Sequence, residues 1–419
     1  MPLPKSLSPL RHRPFAAVWS GAFISNIGTW METVAVAILV TKITDRAIWA
    51  AIIAAAAFLP GAFLGPVGGA LADRYERKRV LILTTMAQTI SAGTLCAVAL
   101  AGSPQPAAVA LLVLATGCAN ALGFPSYQSM MPDLVPPEDL VGAIGLSSAQ
   151  WNLGRVIGPA LASLVIAAGG ERWGYSLAFA INTASFLAVI AVVSSLALPG
   201  PRPGPYPSIA ASIREGFRFA FDEPGIRAIV IYMTISSLFA APFIALVTPM
   251  ALKVLHAHNR GVSVLLTAQG LGAVAMGVSL GSLTSRYSRR RVMAGVLWLL
   301  PPALVAYAVA PNLWVSAACL FVVGALYIGA LSSFTSNAQL RAPAEIRGRV
   351  MSVLNVLLGL LYPIGSLIQG RLSDSIGQRS VTAGAAIGML VLLGVIAVVR
   401  PGLFGRLENG AAVPITVST

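Results

Sequence analysis

Stretches of about 20 apolar residues follow one another almost from end to end of this chain, and that pattern leaves few folds open. They fall near 15–41, 48–72, 80–101, 107–131, 141–168 and 174–198, then 227–252, 262–284, 292–310, 313–338, 349–371 and 380–399. In hydrocarbon only helices or closed barrels satisfy their own backbone hydrogen bonds. These stretches are long and continuous, whereas barrel strands alternate over about ten residues, so the spans are helices. The expected class is an all-α membrane protein with twelve transmembrane helices. Composition agrees: 57% of the 419 residues are hydrophobic and only 10% charged, against about 25% charged in soluble domains.

A net charge of +14 raises the question of nucleic acid. The basic residues lie in short clusters between apolar stretches and form no stripe, so nucleic acid is not an expected partner. Cys96, Cys118 and Cys319 sit inside apolar segments, as small hydrophobes rather than a disulfide framework. The start, MPLPKSLSPLRHRPF, carries no cleavable signal pattern. Twenty of the 28 Lys and Arg lie in the termini and alternate loops, seven lie in the opposite loops, and Arg155 lies within a span. The positive-inside rule then places both termini in the cytosol and the protein in the inner (plasma) membrane.

The halves echo each other. GALADRYERKRV (69–80) returns as GSLTSRYSRRRV (281–292): Gly69, Leu71, Arg74, Tyr75, Arg77, Arg79 and Val80 recur 212 residues later as Gly281, Leu283, Arg286, Tyr287, Arg289, Arg291 and Val292. Two pseudo-symmetric six-helix halves follow, with a central site as in many secondary transporters. The expected organisation is an N-terminal bundle 1–198, a cytoplasmic linker 199–226, a C-terminal bundle 227–400 and a tail 401–419. In the linker, Ile209, Ile213, Phe217 and Phe221 share a helical face suited to a membrane surface.

Gly69-Ala70-Leu71-Ala72-Asp73-Arg74-Tyr75-Glu76-Arg77-Lys78-Arg79 resembles the signature loop of the major facilitator superfamily, with Glu76 where that loop usually has glycine. SNIGTWMETVAVAILV (25–40), MPDLVPPEDLVGAIGL (131–146), GRVIGPALAS (154–163) and REGFRFAF (214–221) are similar to its exporter branch, which includes the enterobactin exporter and drug–proton antiporters. The resemblance implies a cytoplasmic latch made by Gly69, Asp73, Arg74, Arg77 and Arg79, with a second copy at Gly281, Arg286, Arg289 and Arg291. Ser285 replaces the acid in that copy. On physical grounds Gly69 lets two helices approach closely, and Asp73 can cap nearby amides or pair with Arg77. The plainer reading is that these arginines set topology.

Glu32 is the one acid and Arg155 the one base inside the spans. Intramembrane charge is costly, which makes both functional candidates. At 1.5 Å per residue they lie about 25 Å and about 20 Å along their spans, at depths that let them pair. Glu32 is the candidate proton carrier, with a static brace as the plain alternative. Arg155 serves either substrate and coupling or bracing. Gly154, Gly158 and Pro159 around it suggest close packing and a bend, and the resemblance adds an antiporter motif here, with Ala162-Ser163 in place of its glycine pair. The resemblance also offers Arg155 in place of an arginine that many relatives carry in helix four.

Asn120, Phe124, Tyr127, Gln128, Asn152, Tyr232, Gln269, Asn337, Asn355 and Tyr362 are cavity candidates; each alone is more often an interhelical hydrogen bond. No metal or catalytic set is expected: His256 and His258 lack further ligands, and no paired carboxylates or nucleophile–base pair is present. The expected function is export of a small hydrophobic or amphipathic compound (a drug, or a secreted metabolite such as a siderophore) by proton antiport. Protons, one small-molecule substrate and lipids are its partners, the proton gradient replaces any cofactor, and the protein acts as a monomer. A nutrient importer with the same fold is the alternative, and a membrane sensor or enzyme a remote one.

Overall fold

The computed structural model describes residues 5–102, 104–196, 209–343 and 346–405. Among the described residues, twelve helices are long and apolar enough to cross a membrane. They are span 1 (Arg13–Thr44), 2 (Ala47–Arg74), 3 (Arg77–Leu100), 4 (Pro106–Leu134), 5 (Pro137–Gly170), 6 (Trp173–Ser194), 7 (Pro224–Val254), 8 (Asn259–Arg286), 9 (Arg289–Val309), 10 (Leu313–Arg341), 11 (Arg347–Ile376) and 12 (Gln378–Val399). Most reach a few residues beyond the apolar runs, because polar residues finish the helix ends. A short 3₁₀ helix, Lys5–Arg11, precedes span 1, which the hydropathy pattern did not signal.

The helices stop where the backbone chemistry changes. Span 1 ends at Asp45, in the left-handed region at φ 47°. Spans 5 and 6 turn at Gly170, with φ 64° and ψ −170°, a conformation open only to glycine. That hairpin is tight enough that a Cβ on Gly169 would fall 2.7 Å from the Gly174 backbone, so both positions must be glycine.

Glycines also set the helix crossings. Spans 2 and 4 meet backbone to backbone at two levels. A Cβ on Gly68 would lie 2.6 Å from the Ala121 carbonyl oxygen, and one on Gly117 would lie 2.7 Å from that of Ala56. Gly69, expected to mediate such an approach, meets nothing within 4 Å among the described residues. One residue is 100° of helix, so the close contact belongs to its neighbour.

The described residues form two compact units. One holds spans 1–6 together with Ala245–Gly270; the other holds the helix Ile209–Asp222, span 7 up to Ile244 and everything described from Leu271 onward. In the second unit the helix Ile209–Asp222 docks on span 11. Gly216 would place a Cβ 2.8 Å from the Arg349 carbonyl oxygen, and Glu215 pairs with Arg349. Phe217 and Phe221 stack on each other at 6.4 Å, and Phe221 remains exposed. Residues 199–208 of the expected linker and the tail from 406 lie outside the described residues.

Span 7, expected as one uniform helix, contains two π-helical turns, Ser236–Ala240 and Met250–Val254. Pro242 explains the first, because it removes the N–H that the Leu238 carbonyl would otherwise accept. In lipid that carbonyl needs another donor. Gln369 of span 11, 6% exposed, supplies it, donating to the carbonyls of Leu238 at 3.0 Å and Phe239 at 3.1 Å. Gly365 lets span 11 come this near, with room for no Cβ beside the Leu238 oxygen. Gln369→Leu removes a donor from two buried carbonyls and should lower stability by about 1–3 kcal/mol, read as a lower melting temperature in detergent; an unchanged melt would refute this account of the break.

Candidate functional site

Glu32 sits on span 1 at 6% exposure and faces span 6. Asn182 Nδ2 donates to its Oε2 at 2.7 Å. Ser185 Oγ donates to the Asn182 backbone carbonyl at 2.7 Å and lies 3.1 Å from its Oδ1. Gly28, one turn earlier, creates the room: a Cβ there would fall 2.5 Å from Asn182 Oδ1 and 2.9 Å from Ser185 Oγ. Among the described residues Glu32 thus has one neutral donor and no ion pair.

Arg155 is half-buried, and its guanidinium lies over the Trp30 ring, 5.8 Å from the centroid. Trp30 also meets Trp151 edge to face at 5.7 Å and 68°. Gly154 and Gly158 pack span 5 against span 1, where their Cβ atoms would crowd Asn26, Ile27, Trp30 and Met31. The expected pairing of Glu32 with Arg155 does not occur. Trp30 and Glu32 are two residues apart, so they point about 200° apart around span 1, one toward span 5 and the other toward span 6.

Pro159 has a second effect on span 5. Without its N–H the Arg155 carbonyl loses its helical partner, and that oxygen lies beside Gly270 of span 8, 3.4 Å from where a Cβ would sit. Nearby, Ser263 Oγ donates to the Pro159 carbonyl at 2.6 Å, and Ser163 Oγ, whose one proton can go either to the Asn259 carbonyl at 3.0 Å or to Ser263 Oγ, sits beside it. At the same end, away from the termini, Lys253 bonds Asp45 through its backbone carbonyl and its carboxylate.

At the end that carries the termini, the basic loop ties helix ends together. Arg77 was one of the partners open to Asp73. It instead donates to Asp133 Oδ2 at 2.6 Å and the Ser129 carbonyl at 3.0 Å, both on span 4. Lys78 donates to the carbonyls of Ser194 and Leu196 at 2.7 Å and 2.6 Å. Spans 4 and 6 both end here, and cations suit helix C-termini. Arg79 pairs with Glu76 at 2.5 Å, while Asp73 and Arg74 are exposed. Asp139, in the opening turn of span 5, bonds Ser8 at 2.5 Å and His12 at 2.7 Å, anchoring the chain ahead of span 1. In the second copy, Gly281, Arg286, Arg289 and Arg291 are exposed, and Arg286 lies 5.8 Å from the Tyr287 ring centroid. The second unit's buried ion pair lies elsewhere, Arg341 to Glu223 at 3.0 Å.

The cavity candidates divide by exposure. Asn120, Phe124, Gln128 and Asn355 are exposed; Tyr232, Gln269, Asn337 and Tyr362 are buried. Tyr127 accepts from Gln150 at 2.9 Å, and Asn152 and Asn337 donate to carbonyls in their own helices. Asn182, Asp133 and Ser263 were missed. Each was visible as a polar residue in or near a span, but spacing along one helix does not reveal a partner on another. Among the described residues no group of His, Cys, Asp or Glu is arranged to hold a metal.

Comparison with known proteins places this geometry. Residues 4–407 match the family described as transmembrane secretion effector. The chain is 29% identical over 392 residues to the enterobactin exporter EntS of Escherichia coli O1:K1 / APEC, covering 91% of this chain and 90% of that one. The fold matches a bacterial homologue of the human lysosomal transporter Spinster in an inward-facing, unoccupied conformation, with TM-score 0.71 and 14% identity, covering 96% and 97% of the two chains. It also matches a D-xylose–proton symporter, with TM-score 0.72 and 13% identity, covering 91% and 96%.

The Arg77–Asp133 pair has side chains only 16% and 8% exposed, so Arg77→Met breaks a buried ion pair and should cost about 3 kcal/mol. Arg79 is 80% exposed, and Arg79→Met should cost under about 1 kcal/mol. Thermal melts of the two variants compare them, and equal losses would contradict the capping role assigned to Arg77.

Proposed function

Because the chain belongs to the transmembrane secretion effector family of the major facilitator superfamily, we propose that it exports a small hydrophobic or amphipathic organic compound from the cytosol in exchange for protons. That it is a multi-pass membrane transporter follows from the family and the twelve spans. Direction, coupling and cargo class are our reading. The similarity to the enterobactin exporter supports outward transport and makes a siderophore or a drug-like molecule the first cargo to try. The excess of Lys and Arg in the termini and alternate loops supports cytosolic termini in an inner membrane. The protein is taken to work as a monomer, powered by the proton gradient.

The observation that carries the coupling is the setting of Glu32. It is a carboxyl buried among apolar helices and, among the described residues, held by one amide hydrogen bond and faced by no cation. Taking up a proton there discharges the interior without breaking an ion pair, and losing it recharges a site that only Asn182 and the protein's dipoles support. A change of that size can bias one arrangement of spans 1 and 6 over another, which an alternating-access carrier requires.

Glu32→Gln tests it. The amide keeps the volume and still accepts from Asn182, so the fold is preserved while the titratable group is gone. In proteoliposomes with an imposed pH gradient, efflux of enterobactin or ethidium should fall by about tenfold or more, with gradient-independent exchange retained. Full pH-driven efflux by the variant would remove Glu32 from the coupling step.

A further inference from the structure

The helix Ile209–Asp222 is seated by one side and leaves another side open. Gly216 and Ala220 are buried one turn apart, with Gly216 against the Arg349 carbonyl of span 11, and Glu215 pairs with the Arg349 side chain. At 100° per residue, Phe221, Arg214 and Arg218 fall within about 60° of one another, away from Gly216 and Ala220. All three are exposed, Phe221 at 49%. Phe217 lies beside them, half-buried, with its ring stacked on Phe221 at 6.4 Å and 17°.

Charge on the open side is positive. Two nearby acids are committed elsewhere, Glu215 to Arg349 and Glu223 to Arg341 at 3.0 Å. Asp222 faces Arg218 at 3.6 Å, but their side chains are 70% and 84% exposed, and a pair so wet holds a guanidinium weakly. A third guanidinium stands at the helix end: Arg227 Nη1 donates to the Phe221 carbonyl at 3.5 Å, while its buried Nε has no hydrogen-bond partner among the described residues. A buried donor left in that state is costly until an acceptor arrives. Span 7 begins at Pro224, two residues after Asp222, so Phe221 and Arg227 stand where the chain enters the membrane. Exposed phenyl rings among guanidiniums suit the boundary between acyl chains and headgroups, not bulk water. That end is read as cytosolic from its excess of Lys and Arg, and leaflets facing the cytosol carry anionic lipid.

We propose that the face carrying Phe221, Arg214 and Arg218, with Arg227 at its end, is a docking surface for the headgroups of anionic phospholipids. The rings enter the acyl-chain boundary, and the guanidiniums take phosphate oxygens, which their planar fork fits. A zwitterionic headgroup offers the same phosphate but carries its own cation, so it is held less well. The helix is seated on span 11 through Gly216 and Glu215 and continues into span 7 through Glu223, so bound lipid braces the start of both spans. The surface is independent of cargo, of transport direction and of Glu32.

Quenching by brominated lipid tests the surface, with the full chain in phosphatidylcholine nanodiscs. Phe221→Trp places an indole on the exposed face, and its emission is the difference from the wild type with its seven tryptophans. Dibrominated phosphatidylglycerol or dibrominated phosphatidylcholine is then included as a minor component. Two exposed arginines beside the indole predict a relative affinity about fivefold or more in favour of phosphatidylglycerol. Arg214→Gln combined with Arg218→Gln should bring the two lipids near equality, whereas the same pair changed to Lys should keep most of the preference. Equal quenching by the two lipids, or a preference that survives the double Gln change, overturns the anionic surface. Absence of quenching by either lipid puts Phe221 in water and overturns it as well. Should Phe221→Trp fail to reconstitute, melting temperatures decide: phosphatidylglycerol should stabilise the wild type more than phosphatidylcholine does, and the double Gln variant should lose that difference. No proton gradient or cargo enters the measurement, so its result and that of Glu32→Gln are read separately.

Discussion

A backbone carbonyl without a donor is expensive in hydrocarbon, and much of this structure can be understood as the means of avoiding one. Proline is the usual source of such orphans. Pro242 frees the Leu238 carbonyl, and Gln369 crosses from span 11 to take it. Pro159 frees the Arg155 carbonyl, which lies beside Gly270, while Ser263 bonds the carbonyl of Pro159 itself. In both places a glycine on the crossing helix allows the approach, and at Pro242 a polar side chain takes the freed carbonyl. The interruptions therefore do not loosen the spans; they join each interrupted helix to a specific neighbour.

The same economy governs charge. The basic run after span 2 serves the C-terminal ends of spans 4 and 6, where partial negative charge collects. Arg77 and Lys78 each reach carbonyls there, and Arg77 also neutralises Asp133. A motif whose arginines seem spare in the linear sequence is largely consumed in holding three helix ends together. Its copy after span 8 is more exposed, and the buried pair of that unit is built from Arg341 and Glu223, which the repeat does not predict.

The number of spans, their class and the places where they stop were legible because each depends on local properties: apolar length, proline and glycine, and clusters of Lys and Arg. Partnerships between helices were not. Glu32 and Arg155 matched in depth, but depth says nothing about azimuth, and the carboxylate turned to Asn182 instead. The Gly69 motif failed in the same way, since the close contact lies at Gly68, one residue and 100° away. Azimuth is fixed by packing over the whole helix, through contacts such as Gly28 on Asn182 and Gly158 on Trp30. No single spacing carries it.

That azimuthal separation constrains any coupling between proton and cargo. Span 1 presents Glu32 to span 6 and Trp30 to span 5, with Arg155 on the far side of the indole. Glu32 and Arg155 therefore do not share one charge, as they would in a direct pair. They can influence each other only through span 1 itself, which is clamped on one side by Gly28 against Asn182 and Ser185 and on the other by Gly154 and Gly158. Close-packed interfaces of this kind have few intermediate positions, so a change in the charge of Glu32 moves the helix from one seating to another or leaves it in place. Under the proposed proton exchange, the strength of coupling would depend on how tightly those glycine contacts hold.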